Sequence, residues 1–281
     1  MSQELGTAST LPTTRRDVET ALAGIINRNR FTIAVVFPVV GAVLLVASAE
    51  GALPAPLAFH GGLVLFGVAV MRSPLLVGLL PTIDRRVVGW LAVLATYTYL
   101  IELIGVRTDW PYGSFSYGFA LGPTIGGVPV ALPLFFVPLV LNAYLLWLVL
   151  LDGRGSRSIR VLVVIPTVVL MDVALDPAAV ALGFWTFHGD GAFYGVPLSN
   201  YVGWGISATV ATLLVDRAFE PATVRRRVED CPFVLDDLVS FVILWTAVNA
   251  WFGNGAAALA GLLLGGGVIV ALRHRRRLRT A

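Results

Sequence analysis

Apolar stretches of the length that crosses a bilayer as a helix, roughly 20 residues, recur along almost the whole chain. They fall at residues 31–48, 54–71, 87–106, 130–151, 159–182, 199–215, 235–252 and 256–272. A soluble domain of 281 residues has no core in which to bury so many of them. The 57% hydrophobic content, 13% charge and mean hydropathy of +0.83 agree. The expected fold is therefore all-α, a polytopic membrane bundle of about eight transmembrane helices. The last two stretches are separated only by Gly253-Asn254-Gly255, a turn signal; reading through it would give seven.

The cations fix an orientation for this plan. The chain has no lysine, and nineteen of its twenty arginines fall before the first stretch, after the last, or in alternate connections. Arg15, Arg16, Arg28 and Arg30 come first. Arg72, Arg85 and Arg86 lie between the second and third stretches, and Arg154, Arg157 and Arg160 between the fourth and fifth. Arg217, Arg225, Arg226 and Arg227 lie between the sixth and seventh, and Arg273, Arg275, Arg276, Arg277 and Arg279 come last. Arg107 is the exception. Arginine-rich connections stay in the cytoplasm, so both termini are expected there. The plan divides into a cytoplasmic segment 1–29, a membrane domain 30–272 and a basic cytoplasmic tail 273–281. The pI of about 9.3 then reflects membrane topology, and no nucleic-acid partner is expected. Residues 1–29 lack the pattern of a secretory signal. The single Cys231 can form no internal disulfide, and His60, His188 and His274 are too scattered for the histidine boxes of a di-iron enzyme, so neither metal nor redox cofactor is expected.

Two connections on the arginine-poor side, 107–129 and 183–198, are long, aromatic and rich in glycine. Each closes on Gly-Val-Pro, at 127–129 and 195–197. This echo suggests two similar hairpins lining one cavity, with protein satisfying their backbone groups. An interfacial aromatic belt is the alternative. Three acids enter the helices: Glu102, Asp172 and Asp176. An acid inside a membrane marks function by default, because a charge at the centre costs roughly 2.5–3.5 kcal/mol on insertion scales. Counted from the outer helix ends, they sit about 6, 15 and 9 Å deep. The i,i+4 spacing puts both aspartates on one face. Structural alternatives exist: Asp176 before Pro177 as a helix cap, Glu102 paired with Arg107, Asn200 as a cap. Asp109 and Asp190 read as solvated loop acids, His188 as a loop histidine, and Asn142 and Asn249 as interhelical hydrogen-bonding groups.

The ordered set Glu102-x-x-Gly105-Val106, Trp110-Pro111-Tyr112-Gly113, Phe115-Ser116-Tyr117, Gly127-Val128-Pro129, Met171-Asp172, Asp176-Pro177, Trp185 and Tyr194-Gly195-Val196-Pro197-x-x-Asn200-Tyr201-x-Gly203-Trp204 resembles the membrane carotenoid hydratases. The resemblance spans about half the chain. It is nearer to the branch that hydrates C50 carotenoids, bisanhydrobacterioruberin to bacterioruberin, than to the branch acting on C40 carotenes. It implies a lipophilic carotenoid substrate drawn from the lipid bilayer and hydro-lyase chemistry: protonation of a trisubstituted double bond, a tertiary cation, and delivery of water. That chemistry needs a protonated acid in an apolar site, a group that directs water, and aromatic faces for the cation. The expected acid is Asp172 or Glu102, with the other or Asp176 directing water. Tyr112, Tyr117, Trp185, Tyr194, Asn200 and Trp204 are expected to contact the substrate. Two further classes fit parts of the pattern. Asp172-x-x-x-Asp176 is half of the aspartate motif of an intramembrane prenyltransferase, and membrane acids also serve proton-coupled transporters.

Overall fold

The computed structural model describes residues 14–189 and 191–280. Asp190 and residues 1–13 lie outside that range. Helix α1 (Arg15–Arg28) opens with a capping box between Thr14 and Asp17. A π-helical turn (Thr32–Val36) runs into α2 (Phe37–Ala49). Then follow α3 (Gly61–Leu79), α4 (Arg85–Thr108), α5 (Leu132–Leu150) and α6 (Arg157–Ala181). The chain finishes with α7 (Leu198–Ala218), α8 (Pro221–Asp230), α9 (Asp236–Trp251) and α10 (Gly255–Thr280). Seven of these, α2 with its π turn, α3–α7 and α10, are long and apolar enough to cross a membrane. Helix α9 has 16 residues and rises about 24 Å, short of the roughly 30 Å hydrocarbon core. It is nonetheless the eighth member of the bundle. It forms a hairpin with α10 around Gly253 and is buried among α2, α3, α6 and α10. The chain is an all-α, multi-pass membrane protein.

The second helix departs from expectation. The sequence plan ends it at residue 71 and leaves Arg72 in a cytoplasmic connection, but α3 starts seven residues later and continues to Leu79, with Arg72 inside it and buried. Two local devices make this possible. The Arg72 guanidinium donates to Asp237 at 2.7 Å, and Asp237 also accepts from Asn142 at 2.6 Å. Pro74 has no N–H for the carbonyl of Val70, and the Ser73 hydroxyl donates to that carbonyl instead, at 2.6 Å.

Except for Arg107, at the outer end of α4, the other arginines fall at one end of the bundle, and several of them tie its segments together. Arg15 donates to the Leu80 and Ile83 carbonyls, Arg227 to Gly78 and Arg275 to Cys231. Arg30 binds Asp236 through two bonds of 2.7 and 2.8 Å. Arg157 and Arg160 share Asp216, and Arg225 pairs with Asp152. Each of Asp152, Asp216, Asp236 and Asp237 therefore has an arginine partner. Helix α10 continues through the basic residues at its end.

At the opposite end the two aromatic connections meet. Strand β1 (Phe115–Tyr117) pairs antiparallel with a strand from the second connection (Trp185–Phe187); between them in sequence lie β2 (Thr124–Ile125) and β3 (Val128–Pro129), so the second-connection strand is β4. The β1–β4 register sets Phe115 opposite Phe187 and Tyr117 opposite Trp185. Period two then turns all four aromatic side chains to one face, with Ser116 and Thr186 exposed on the other. The Gly-Val-Pro echo also has a structural basis. Gly126-Gly127 and Tyr194-Gly195 both take positive φ, at 62° and 90° and at 50° and 83°. Each pair turns a two-residue hairpin, Ile125 to Val128 and Phe193 to Val196.

Candidate active site

A cavity of about 530 Å³ lies between α2, α3, α4, α5, α6, α7 and α9, roofed by the β1–β4 ribbon. Seven of the nine residues singled out from the sequence line it: Glu102, Asp176, Tyr112, Tyr117, Trp185, Asn200 and Trp204. Helix α6 passes through Pro177 without a break to Ala181, so Asp176 does not cap a helix; it lies in the helix interior, fully within the bundle. Asp172, one turn deeper on the same face, is completely buried behind it and does not line the cavity. Asn200 is the third residue of α7, after a Pro197 cap. Its amide nitrogen donates to both aspartates, to Asp172 Oδ2 at 3.0 Å and to Asp176 Oδ2. Asp172 Oδ1 has no hydrogen-bond partner.

Glu102 is not paired with Arg107, which is exposed; it accepts a hydrogen bond from the Tyr117 hydroxyl. Burial, and then the neighbouring Glu102 carboxyl, push the Tyr117 hydroxyl far above the ordinary tyrosine range. Tyr117 thus stays protonated and donates to Glu102. Glu102 and Asp176 line the same cavity. None of the three acids has a cationic partner among the described residues; their polar neighbours are Asn200 and Tyr117.

The aromatic wall is held by backbone design. The Tyr112 ring is clamped between α4 and α7 because both present glycine. A Cβ on Gly105 would come within 3.1 Å of the ring and one on Gly203 within 2.6 Å. Its hydroxyl shares a 2.7 Å hydrogen bond with Ser207. Trp204 stacks on Phe136 with ring centroids 5.0 Å apart and planes 16° apart. Tyr194 lies elsewhere. It is the first residue of a hairpin turn, and its hydroxyl accepts from the Ala256 N–H at the start of α10. His188 and Asp109 are exposed, Asp109 as the left-handed C-cap of α4. Asn142 and Asn249 both bridge helices; Asn249 donates to the Ala174 carbonyl and Asn254 to that of Pro177, gripping α6 beside the aspartates.

Sequence reasoning missed several wall residues: Phe115 and Phe187 from the ribbon, Phe136, Trp245, and the Arg72–Asp237 pair at the inner end of the cavity. The alternation within Phe115-Ser116-Tyr117 was the one available signal, since it makes both aromatics face the same way. Among the described residues no group of three or more His, Cys, Asp or Glu side chains is placed to hold a metal ion.

A family model described as carotenoid biosynthesis protein matches residues 59–268, a span containing all nine residues singled out from the sequence. The bisanhydrobacterioruberin hydratase of Haloarcula japonica is 54% identical over 262 residues, covering 92% of this chain and 89% of that protein. No solved structure matches the chain significantly. A match over most of the length to both the family model and this relative carries one conclusion: the chain belongs to the carotenoid biosynthesis protein family.

Proposed function

We propose that this protein is a carotenoid hydratase, a hydro-lyase that adds water to a terminal isoprenoid double bond of a membrane carotenoid, of the bisanhydrobacterioruberin-to-bacterioruberin type, without a cofactor. The observation that carries the reading is the contrast between two sets of acids. Asp152, Asp216, Asp236 and Asp237 are matched by arginines, whereas Glu102, Asp172 and Asp176 are not, and two of these three open into an apolar, aromatic-walled cavity. The relative's name agrees with it.

The roles follow from the neighbours. Asp172 and Asp176 face one amide and no cation. Two close carboxylates in an apolar site do not both ionise, so the pair carries a proton, and Asp176 presents it to the cavity. Asp176 protonates the less substituted alkene carbon, and the resulting tertiary cation lies against the faces of Trp204, Tyr112 and Trp185. Glu102, held by the Tyr117 donor, orients a water whose oxygen bonds to the cation and takes the proton it releases. One water is added, and proton return from Glu102 to the aspartate pair closes the cycle. The arginine end faces the cytoplasm, with both termini, so the reaction takes place in the outer half of the membrane.

The test is to express the chain in a carotenoid-producing host without hydratase activity and weigh the pigments. A gain of one water per hydrated end is expected. In membranes kept anaerobic with a chelator and heavy-oxygen water, the label should enter a tertiary alcohol. An oxygen derived from O₂, or a requirement for it, overturns the reading.

A further inference from the structure

The cavity is open along one side. Helix α2 packs on α9, and α3 packs on α9 and α5, but α2 and α3 barely touch each other. The residues facing across that gap line the cavity and yet are exposed: Val40 and Leu44 on α2 at 48% each, Leu63 and Phe66 on α3 at 53% and 62%. A side chain that both lines a cavity and is half exposed marks an opening. Glycines keep the slot wide. A Cβ on Gly67 would meet nothing within 4 Å, and one on Gly41 would meet only Leu244, at 3.6 Å. The opening lies within two spans, so it faces hydrocarbon and not water. Its inner end narrows where the Phe37 and Phe66 rings meet edge to face, 6.5 Å apart. Its outer end is covered by Phe59, packed on Phe119 and Phe184.

We propose that the slot between α2 and α3 is the substrate's lateral entrance and the binding groove for its polyene. The end group sits between Glu102 and Asp176, and the polyene leaves through the slot into the bilayer. The chemistry argues for this occupant. The side chains that face each other across the slot are apolar, with Ser48 and His60 at its outer end, and the slot is continuous with the acids; a 530 Å³ cavity is the size that buries a drug-sized molecule, not a whole carotenoid. Two consequences follow. The site does not measure the length of the chain beyond the slot, so C40 and C50 carotenoids with the same end group are hydrated alike. The far end lies in lipid, so a carotenoid with two reactive ends leaves and returns reversed between its two hydrations, and a singly hydrated product builds up first.

This rests on the hydratase reading, and two measurements separate them. In the first, Gly67→Phe fills the slot without touching the acids. In protein of unchanged thermal stability it should lower carotenoid hydration at least about tenfold; hydration by Gly67→Phe at the wild-type rate overturns the inference while leaving the hydratase reading intact. The second needs no turnover. A photo-reactive phenylalanine in place of Leu63, in membranes containing carotenoid, should capture the pigment. The same replacement at Val202, which is 64% exposed on α7, should capture only phospholipid. Capture of phospholipid chains alone at position 63, or of nothing, overturns the groove, whatever the activity assay shows.

Discussion

The site's acids and the inner ion pair illustrate two opposite uses of a buried charge. Asp237 is neutralised by Arg72 and held by Asn142. Removing one partner leaves the other charge stranded, at a cost of about 3–5 kcal/mol. Arg72→Met should therefore lower thermal stability sharply, and adding Asp237→Asn should restore most of it; heating the detergent-solubilised proteins and following the folded fraction checks both. Glu102 and Asp176 have no cation to lose. Glu102→Gln and Asp176→Asn should leave stability near wild type and cut hydration at least about 100-fold, within the range of general acid–base catalysis. Asp172→Asn should cost less than Asp176→Asn, because Asp172 reaches the cavity only through Asn200 and its neighbour. Full activity in folded Asp176→Asn removes that residue from its role. The acids were legible in the sequence as charges inside apolar stretches. Arg72 is not legible in this way, because its partner lies 165 positions away, where no local pattern points to it.

Elements place these side chains by register and by absent side chains. Tyr112 reaches the cavity because α4 and α7 both offer glycine to its ring. Gly203→Ala drives a Cβ against Tyr112 and the Pro111 backbone, overpacking of the kind that costs typically 1–3 kcal/mol. It should lower both activity and stability. Gly205→Ala, two residues along the same helix with nothing within 4 Å, should be silent, and comparing melting and hydration of the two variants isolates the contact. The repeated Gly-Val-Pro could be read as two related hairpins, and each does close a two-residue turn. That reading could not say which residue turns inward. Tyr194 was expected in the wall, but its positive φ makes it a turn residue and carries its ring to α10.

For the whole molecule, charge and length together give the architecture. Eight helices alternate between the arginine end and the acid end, so a reporter fused after the last helix and one fused before α1 should both be cytoplasmic. One inserted near Gly122 should be external. Reporters that place Arg225–Arg227 outside contradict the scheme. The exception to the length rule, α9, is informative. Its 16 residues suffice because it is shielded by other helices, and its first turn holds Asp236 and Asp237, two acids that lipid would not tolerate unpaired. The apolar period marked the helix, and only its neighbours explain how it starts.

The sequence by itself determined the class of fold, the approximate places of the spans, the arginine-bearing end and the three acids. Each of these follows from solvation, which acts residue by residue: apolar runs leave water, arginines stay in it, and an acid in lipid needs a reason. Tertiary structure decided what those acids face. Asn200 bridging two aspartates, Tyr117 donating to Glu102, a ribbon joining residues 70 positions apart and a slot between α2 and α3 all depend on contacts between distant segments. Such contacts are fixed by packing and hydrogen-bond satisfaction across the whole bundle, and no single stretch of the chain encodes them.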